Sequence, residues 1–264
     1  MESDITNQIE IKEITINIET PDGKLPTAKV RIPNLPMRLA DIVQPIQQLC
    51  SGIVGLAVKR EIALGSTISC KKGCGVCCNQ LVPLSAPEAF FLYEYVDSLP
   101  DDRRNEILSR FSAIKATMES AGVLERINKI EDTDEHRELA WDYFKLGMPC
   151  PFLEDDSCSI HPIRPFACRE YNVISPATLC VDPFNNKILR IKISRNMTTA
   201  TAMLASEVCG VPPALIPMTL ALEWASDNQT IGRMAWSGIW LFERMLEHAT
   251  GSNLDEDNSS KNPS

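Results

Sequence analysis

Ser69 to Asn79 reads SCKKGCGVCCN and places four cysteines, Cys70, Cys74, Cys77 and Cys78, within nine positions. A turn holding two glycines and two lysines is no core segment, so packing does not account for these thiols. The spacing C-x3-C-x2-C lets three sulfurs converge on one centre while the intervening N–H groups point at them, and Gly73 and Gly75 permit the tight, partly left-handed backbone this needs. Soft thiolates at this density select zinc or iron–sulfur clusters over hard cations.

Four more cysteines, Cys150, Cys158, Cys168 and Cys180, lie in CPFLEDDSCSIHPIRPFACREYNVISPATLC. Pro151, Pro162 and Pro165 are expected to keep this loop from becoming helix or strand. Pro165 should open a short helix with Cys168 in its first turn, where the helix dipole lowers a thiol pKa and favours the thiolate a metal requires. Four thiolates around zinc, or around an oxidised four-iron cluster, leave about two negative charges, so cations or N–H donors are needed nearby. Arg164, between Ile163 and Pro165, and Arg169 are candidates, whereas Lys71 and Lys72 read as solvated side chains. His161 reads as a neighbour of the ligands, since eight thiols already suffice. Cys50 and Cys209 each stand alone in an apolar helical pattern and read as small buried hydrophobes.

The whole chain sets the bounds. Its 264 residues, 44% hydrophobic, can bury a substantial core. A net charge of −9 and a pI near 5.0 disfavour nucleic acid, because a phosphate backbone would be repelled. The opening MESDITNQIEIKEITINIET carries acids where a signal peptide needs basic residues. Apolar runs such as Leu49 to Val58 fall short of the roughly 18 residues of a membrane span. A cytoplasmic protein without membrane contact is expected, and in a reducing compartment clustered thiols bind metal more often than they form disulfides.

The expected fold is mainly α (α+β): a helical domain with an N-terminal β-hairpin and two cysteine-rich metal-binding loops. Four units are expected. Residues 1–36 form the hairpin, through alternating Ile14, Ile16 and Ile18, then Ala28, Val30 and Ile32, around Pro21-Asp22-Gly23, with a bulge near Glu13. Residues 37–182 form the cysteine-cluster domain, 183–250 a strand and helices packed on it, and 251–264 a disordered tail. Helical spacing begins at Leu39, with Pro45 as a kink or restart. Ser85-Ala-Pro-Glu88 reads as a capping box opening a helix from about Pro87 to Leu99. Helices follow over 101–121, 122–130, 134–146, 195–209, 214–226 and 229–249, and a strand over Ile188–Ile193. The stripe from Ile231 through Phe242 to Leu246 reads as core.

The pattern C-x3-C-G-x-CC, P-L-x-x-x-E, CPFL, C-S-I, R-P-x-x-CR and a trailing cysteine resembles the YkgJ-like cysteine-cluster family, a zinc- or iron-chelating domain, over residues 68 to 182. Its eight-cysteine signature falls on Cys70, Cys74, Cys77, Cys78, Cys150, Cys158, Cys168 and Cys180. Two departures stand out: the first interval holds three residues where many members have two, and His161 replaces a common tyrosine. Neither removes a ligand that the resemblance implies. One branch of the family is flagellin lysine N-methylase, which implies an iron–sulfur cluster and S-adenosylmethionine.

Three chemistries follow. The first is a metal-binding protein holding an iron–sulfur cluster or zinc through the eight cysteines, with an unidentified protein or small-molecule partner. The second is an S-adenosylmethionine-dependent protein methyltransferase, although no Gly-rich loop after a strand marks a nucleoside site. A radical-enzyme barrel is excluded, since it needs alternating strands and helices. The third, a redox pair at Cys77–Cys78, leaves six matched cysteines unexplained. Hydrolysis by a serine triad finds no support, since His136, His161 and His248 lack a nucleophile context.

Overall fold

A computed structural model describes residues 10–17, 27–127, 129, 133–193 and 195–250. The turn at Pro21-Asp22-Gly23 and the tail over 251–264 lie outside the described residues. As expected, the chain is mainly helical, with a two-stranded N-terminal sheet.

Strands β1 (Ile11–Asn17) and β2 (Thr27–Pro33) pair antiparallel, with Glu13 opposite Arg31 and Ile16 opposite Ala28. The register runs one to one throughout, so no bulge forms near Glu13. Ile11, whose position breaks the alternation, is instead left exposed at 49%. Val30 and Ile32 turn inward against helix α1 (Val43–Ala63), which begins four residues later than its periodicity suggests. Leu39 and Ile42 are fully buried, but in the turns before the helix. Pro45 lies in the first turn of α1 and does not kink it, because the N–H it lacks would have no intrahelical acceptor there.

After the first cysteine loop, β4 (Pro83–Leu84) leads into α2 (Ala86–Asp97), opened by the expected Ser85–Glu88 capping box. Helices α3 (Asp101–Ser120), α4 (Val123–Ile127) and α5 (Thr133–Lys145) follow, and Gly147, at φ 62°, ends this run. Ile114, Met118, Val123, Leu139, Tyr143 and Met148 form a small second core under α3 to α5. Within the second cysteine loop lie β5 (Leu153–Glu154), β6 (Ser157–Cys158) and α6 (Phe166–Glu170). The expected strand over Ile188–Ile193 is only an extended segment. It makes one bridge, Val173 with Arg190, and its neighbouring hydrogen bonds reach Asn172, Ile174 and Ser175.

The C-terminal part is α7 (Met197–Cys209), β7 (Ile216–Pro217), α8 (Ala221–Asp227), α9 (Gln229–Gly232), β8 (Ala235–Ser237) and α10 (Gly238–Thr250). The helix expected over 229–249 is therefore broken. Ala235–Ser237 leave it to pair with β3 (Pro36–Arg38), and Gly238 fits beneath Met37, where an added Cβ would lie 2.4 Å from the sulfur. Phe242, Met245 and Leu246 of the expected stripe are core, whereas Met234 is 44% exposed. β4 pairs with β7, so the exit of the first cysteine loop is stitched to the C-terminal region. The main core joins β2, α1, α2, α7, α8 and α10. Among the described residues no helix is long and apolar enough to cross a membrane.

Candidate metal centre

The first loop is built on its glycines. Gly73 adopts φ 83°, and the Cys74 N–H then bonds to Lys71 O at 3.1 Å. Gly75 meets the second loop directly: a Cβ there would lie 2.7 Å from Leu153 Cδ1 and 3.3 Å from Asp156 O. A 3-10 turn, Val76–Asn79, then carries Cys77 and Cys78.

The second loop is more regular than its prolines suggest. Cys150 donates its N–H to Cys78 O at 2.7 Å, which ties the two loops together at their start. Leu153 pairs with Cys158 and Glu154 with Ser157 across a two-residue turn whose residues, Asp155 (φ 47°) and Asp156 (φ 57°), are both left-handed. Aspartate tolerates that conformation, and positive φ at both positions is what a tight hairpin turn requires. The Asp-Asp pair was thus a readable signal for a hairpin that the proline argument missed. A 3-10 turn, His161–Ile163, precedes α6, and a second one, Ala177–Val181, carries Cys180. Ser69 donates its N–H to Val173 O at 2.8 Å, and Val173 donates its N–H to Cys70 Sγ at 3.3 Å, closing the loops at their far end.

The result is one cavity of about 570 Å³ lined by Cys70, Cys74, Cys77, Cys78, Cys150, Cys158, Cys168 and Cys180. Cys50 and Cys209 do not line it: Cys50 is buried beside Glu170, to which its thiol donates at 3.8 Å, and Cys209 packs on the main core. All ten thiols are free. The sulfurs ring the cavity, and among the described residues no three Cys, His, Asp or Glu side chains stand as a closed ligand set.

Arg164 lines the cavity, and its Nε is buried without a hydrogen-bond partner. Arg169 is placed differently. Its Nε bonds to Arg164 O at 2.9 Å, one terminal nitrogen reaches Ser51 Oγ at 3.0 Å, and the other bonds to Pro162 O, so it braces the loop against α1. His161 is at the rim, its pKa pushed down by burial and then by Arg164 and Arg169. Lys71 and Lys72 are exposed at the mouth. Tyr171, which also lines the cavity with Arg190 over its ring, escaped the sequence reading, although CREY places it three residues after Cys168.

Cys168 occupies the first turn of α6, as Pro165 predicts. Its free thiol is nevertheless pushed up to about 12, chiefly by burial and then by Cys77 and Cys158, so desolvation outweighs a five-residue helix. Burial likewise raises Cys70, Cys150, Cys158 and Cys180, while Cys77 rises first through its hydrogen bond with Cys78. Arg164 opposes the rise at Cys70, Cys77, Cys158 and Cys168. The amides of Phe152 and Ile160 do so at Cys150 and Cys158, each two residues back. The site thus favours the protonated thiol at these buried cysteines and offsets negative sulfur through one guanidinium and several N–H groups. Loading it with a cation displaces protons.

No curated protein and no solved structure matches the chain. Residues 69–194 match the family model CxxCxxCC, described as "Putative zinc- or iron-chelating domain", and both cysteine loops fall inside that span. Residues 69–194, which carry all eight cysteines that line the cavity, are thus similar to this cysteine-cluster domain.

Proposed function

We propose that the protein is a metal-binding protein that holds an iron–sulfur cluster or zinc through Cys70, Cys74, Cys77, Cys78, Cys150, Cys158, Cys168 and Cys180. The observation that carries this reading is how the cysteines sort: two loops distant in sequence bring eight of them to one cavity, while of the two outside the loops Cys50 is buried in the core and Cys209 packs against it. Thiols acting as small hydrophobes would not divide this way. The donor set fits the group. Soft sulfur suits zinc or iron, Val173 N–H already bonds to one sulfur, and the unpartnered Nε of Arg164 lies where negative charge would gather. Bound there, iron and sulfide would supply electron storage, and zinc would supply a structural tie. The chain itself orients the thiols, shields them from bulk water and offsets their charge.

The test is anaerobic purification of the untagged protein, with its visible spectrum and with iron, acid-labile sulfide and zinc measured per chain. Matched iron and sulfide establish a cluster, and zinc in a colourless protein establishes a zinc site. Neither metal at stoichiometric level overturns the reading. A methylase similar to flagellin lysine N-methylase would also bind S-adenosylmethionine, which equilibrium dialysis of the metal-loaded protein detects.

A further inference from the structure

The chain carries a net charge of −9, yet the stretches that meet at the cysteine cavity are basic. Residues 65–84 hold Lys71 and Lys72 and no acid, and residues 183–197 hold Lys187, Arg190, Lys192 and Arg195 and no acid. In residues 157–180 the single acid is Glu170, which is buried and accepts the Met197 N–H at 2.7 Å. Folding joins these stretches. Arg190 bridges to Val173, its guanidinium lies 5.3 Å from the centre of the Tyr171 ring, and Ile191 donates its N–H to Asn172 O at 2.9 Å. Tyr171, Asn172 and Val173 all line the cavity, as do Lys71, Lys72 and Arg164, and Asp156 is the one carboxylate on the same wall.

These cations are also unmatched. Lys71, Lys72, Lys187, Arg190 and Lys192 are exposed, and none makes an ion pair among the described residues. Away from the cavity, Arg103, Arg110, Lys115, Arg126 and Arg244 each hold a carboxylate partner. Like charges gathered on one face repel one another and attract an oppositely charged ligand. Apolar surface stands among them: Val181, next to Cys180, is 63% exposed, and Leu189, whose carbonyl accepts the Ile174 N–H at 2.9 Å, is 47% exposed.

We propose that the mouth of the cavity docks an acidic segment of a partner protein, with Lys71, Lys72, Arg190 and Lys192 meeting its carboxylates and Val181 and Leu189 its apolar side chains. The charge complementarity steers the encounter, and the apolar pair adds contact that a small anion cannot use. Nucleic acid fits less well, because a long polyanion would run past the patch onto the acidic remainder of the surface. As the partner of the metal centre, this segment rests on the reading that the eight cysteines bind metal; the docking itself does not.

The experiment follows the fluorescence anisotropy of a labelled peptide of glutamate and leucine with the full chain, purified without oxygen, and measures metal per chain in the same samples. The proteins are wild type, the double variants Lys71→Glu with Lys72→Glu and Arg190→Glu with Lys192→Glu, and Arg233→Glu, an exposed cation that does not line the cavity. Wild type is expected to bind the peptide, less tightly as salt rises. Each double variant should bind it about tenfold more weakly, the order expected when two exposed attractions become repulsions, and should keep its metal. Arg233→Glu should bind as wild type does. No binding at low salt overturns the proposal, as does an equal loss in Arg233→Glu or tighter binding of a single-stranded oligonucleotide of the same charge. Loss of metal in both double variants also overturns it, since the cations would then serve the thiolates. A wild type that binds the peptide but carries no metal supports the docking and removes only the metal reading, so the two failures are distinguishable.

Discussion

Glu88 Oε1 accepts the backbone N–H of Phe166 at 2.7 Å, while Oε2 accepts both the N–H and the hydroxyl of Ser85 at 2.9 Å. One buried carboxylate therefore caps α2, which leaves the first cysteine loop, and α6, which carries Cys168. Thr201 extends the link by donating to Ser85 Oγ at 2.8 Å, which reaches α7. Removing this carboxylate strands buried donors on two elements at once. Glu88→Ala is expected to lower stability by about 3 kcal/mol, since each stranded buried donor costs about 1–3 kcal/mol. Urea unfolding measures this, and a loss below about 1 kcal/mol, the size of an ordinary cap, contradicts the double role.

The same residue should make stability depend on pH. Burial pushes Glu88 from its ordinary 4.5 up to about 7, against the pull of the Ser85 and Phe166 amides. The folded state then holds a proton that the unfolded state has released. The contribution is complete below about pH 4.5 and is lost as pH rises through about 7. Glu170, pushed up to about 7 by burial, adds in the same direction. Melting temperatures of wild type and Glu88→Gln from pH 4 to 9 test this: the wild-type curve should fall more steeply with rising pH. Parallel curves refute it.

Cys74→Ala and Cys168→Ala are expected to lower metal content and melting temperature together, because ligation free energy is also folding free energy. Cys50→Ala and Cys209→Ala should leave metal content unchanged. Cys50→Ala should still cost about 1 kcal/mol, through a small cavity in the core. Loss of metal from either control variant would show that the eight-residue ligand set is wrong.

Gly75→Ala probes the contact between the loops. Its Cβ would meet Leu153 Cδ1, which can rotate, but also the Asp156 backbone at 3.3–3.4 Å, which is held by a tight turn. A loss of about 1–3 kcal/mol is expected, as for other overpacked sites. Leu153→Ala in the same chain should restore only part of it, and full restoration would show that the backbone contact is unimportant.

Arg110 holds the second loop from outside, donating to Pro151 O at 2.9 Å and to Glu154 at 2.8 Å, next to Cys150. The ion pair is partly exposed, so Arg110→Ala should cost no more than about 1 kcal/mol in stability. Metal loss to a chelator should nonetheless quicken, because Pro151 is then free to move with Cys150. Unchanged release kinetics would refute this positioning role.

What the sequence determined by itself is local. The Ser85–Glu88 box, the glycine ending at Gly147 and the helical periodicity of α2, α3 and α5 act over three or four residues, so their energetics are written in neighbouring positions. The cysteine spacing is legible for the same reason, since each loop turns on its own residues, Gly73 in the first and Asp155–Asp156 in the second. Tertiary structure decided what depends on partners far along the chain. Ala235–Ser237 leave a helical pattern because Pro36–Arg38 offer backbone partners from the other end of the sequence. Arg169 braces carbonyl groups and Ser51 because folding brings α1 beside it. Glu88 reaches Phe166 only once the two loops have closed, and that closure places eight thiols around one cavity. A periodic pattern cannot encode such contacts, because their free energy includes the entropy of closing long loops and is gained only when the whole core has formed.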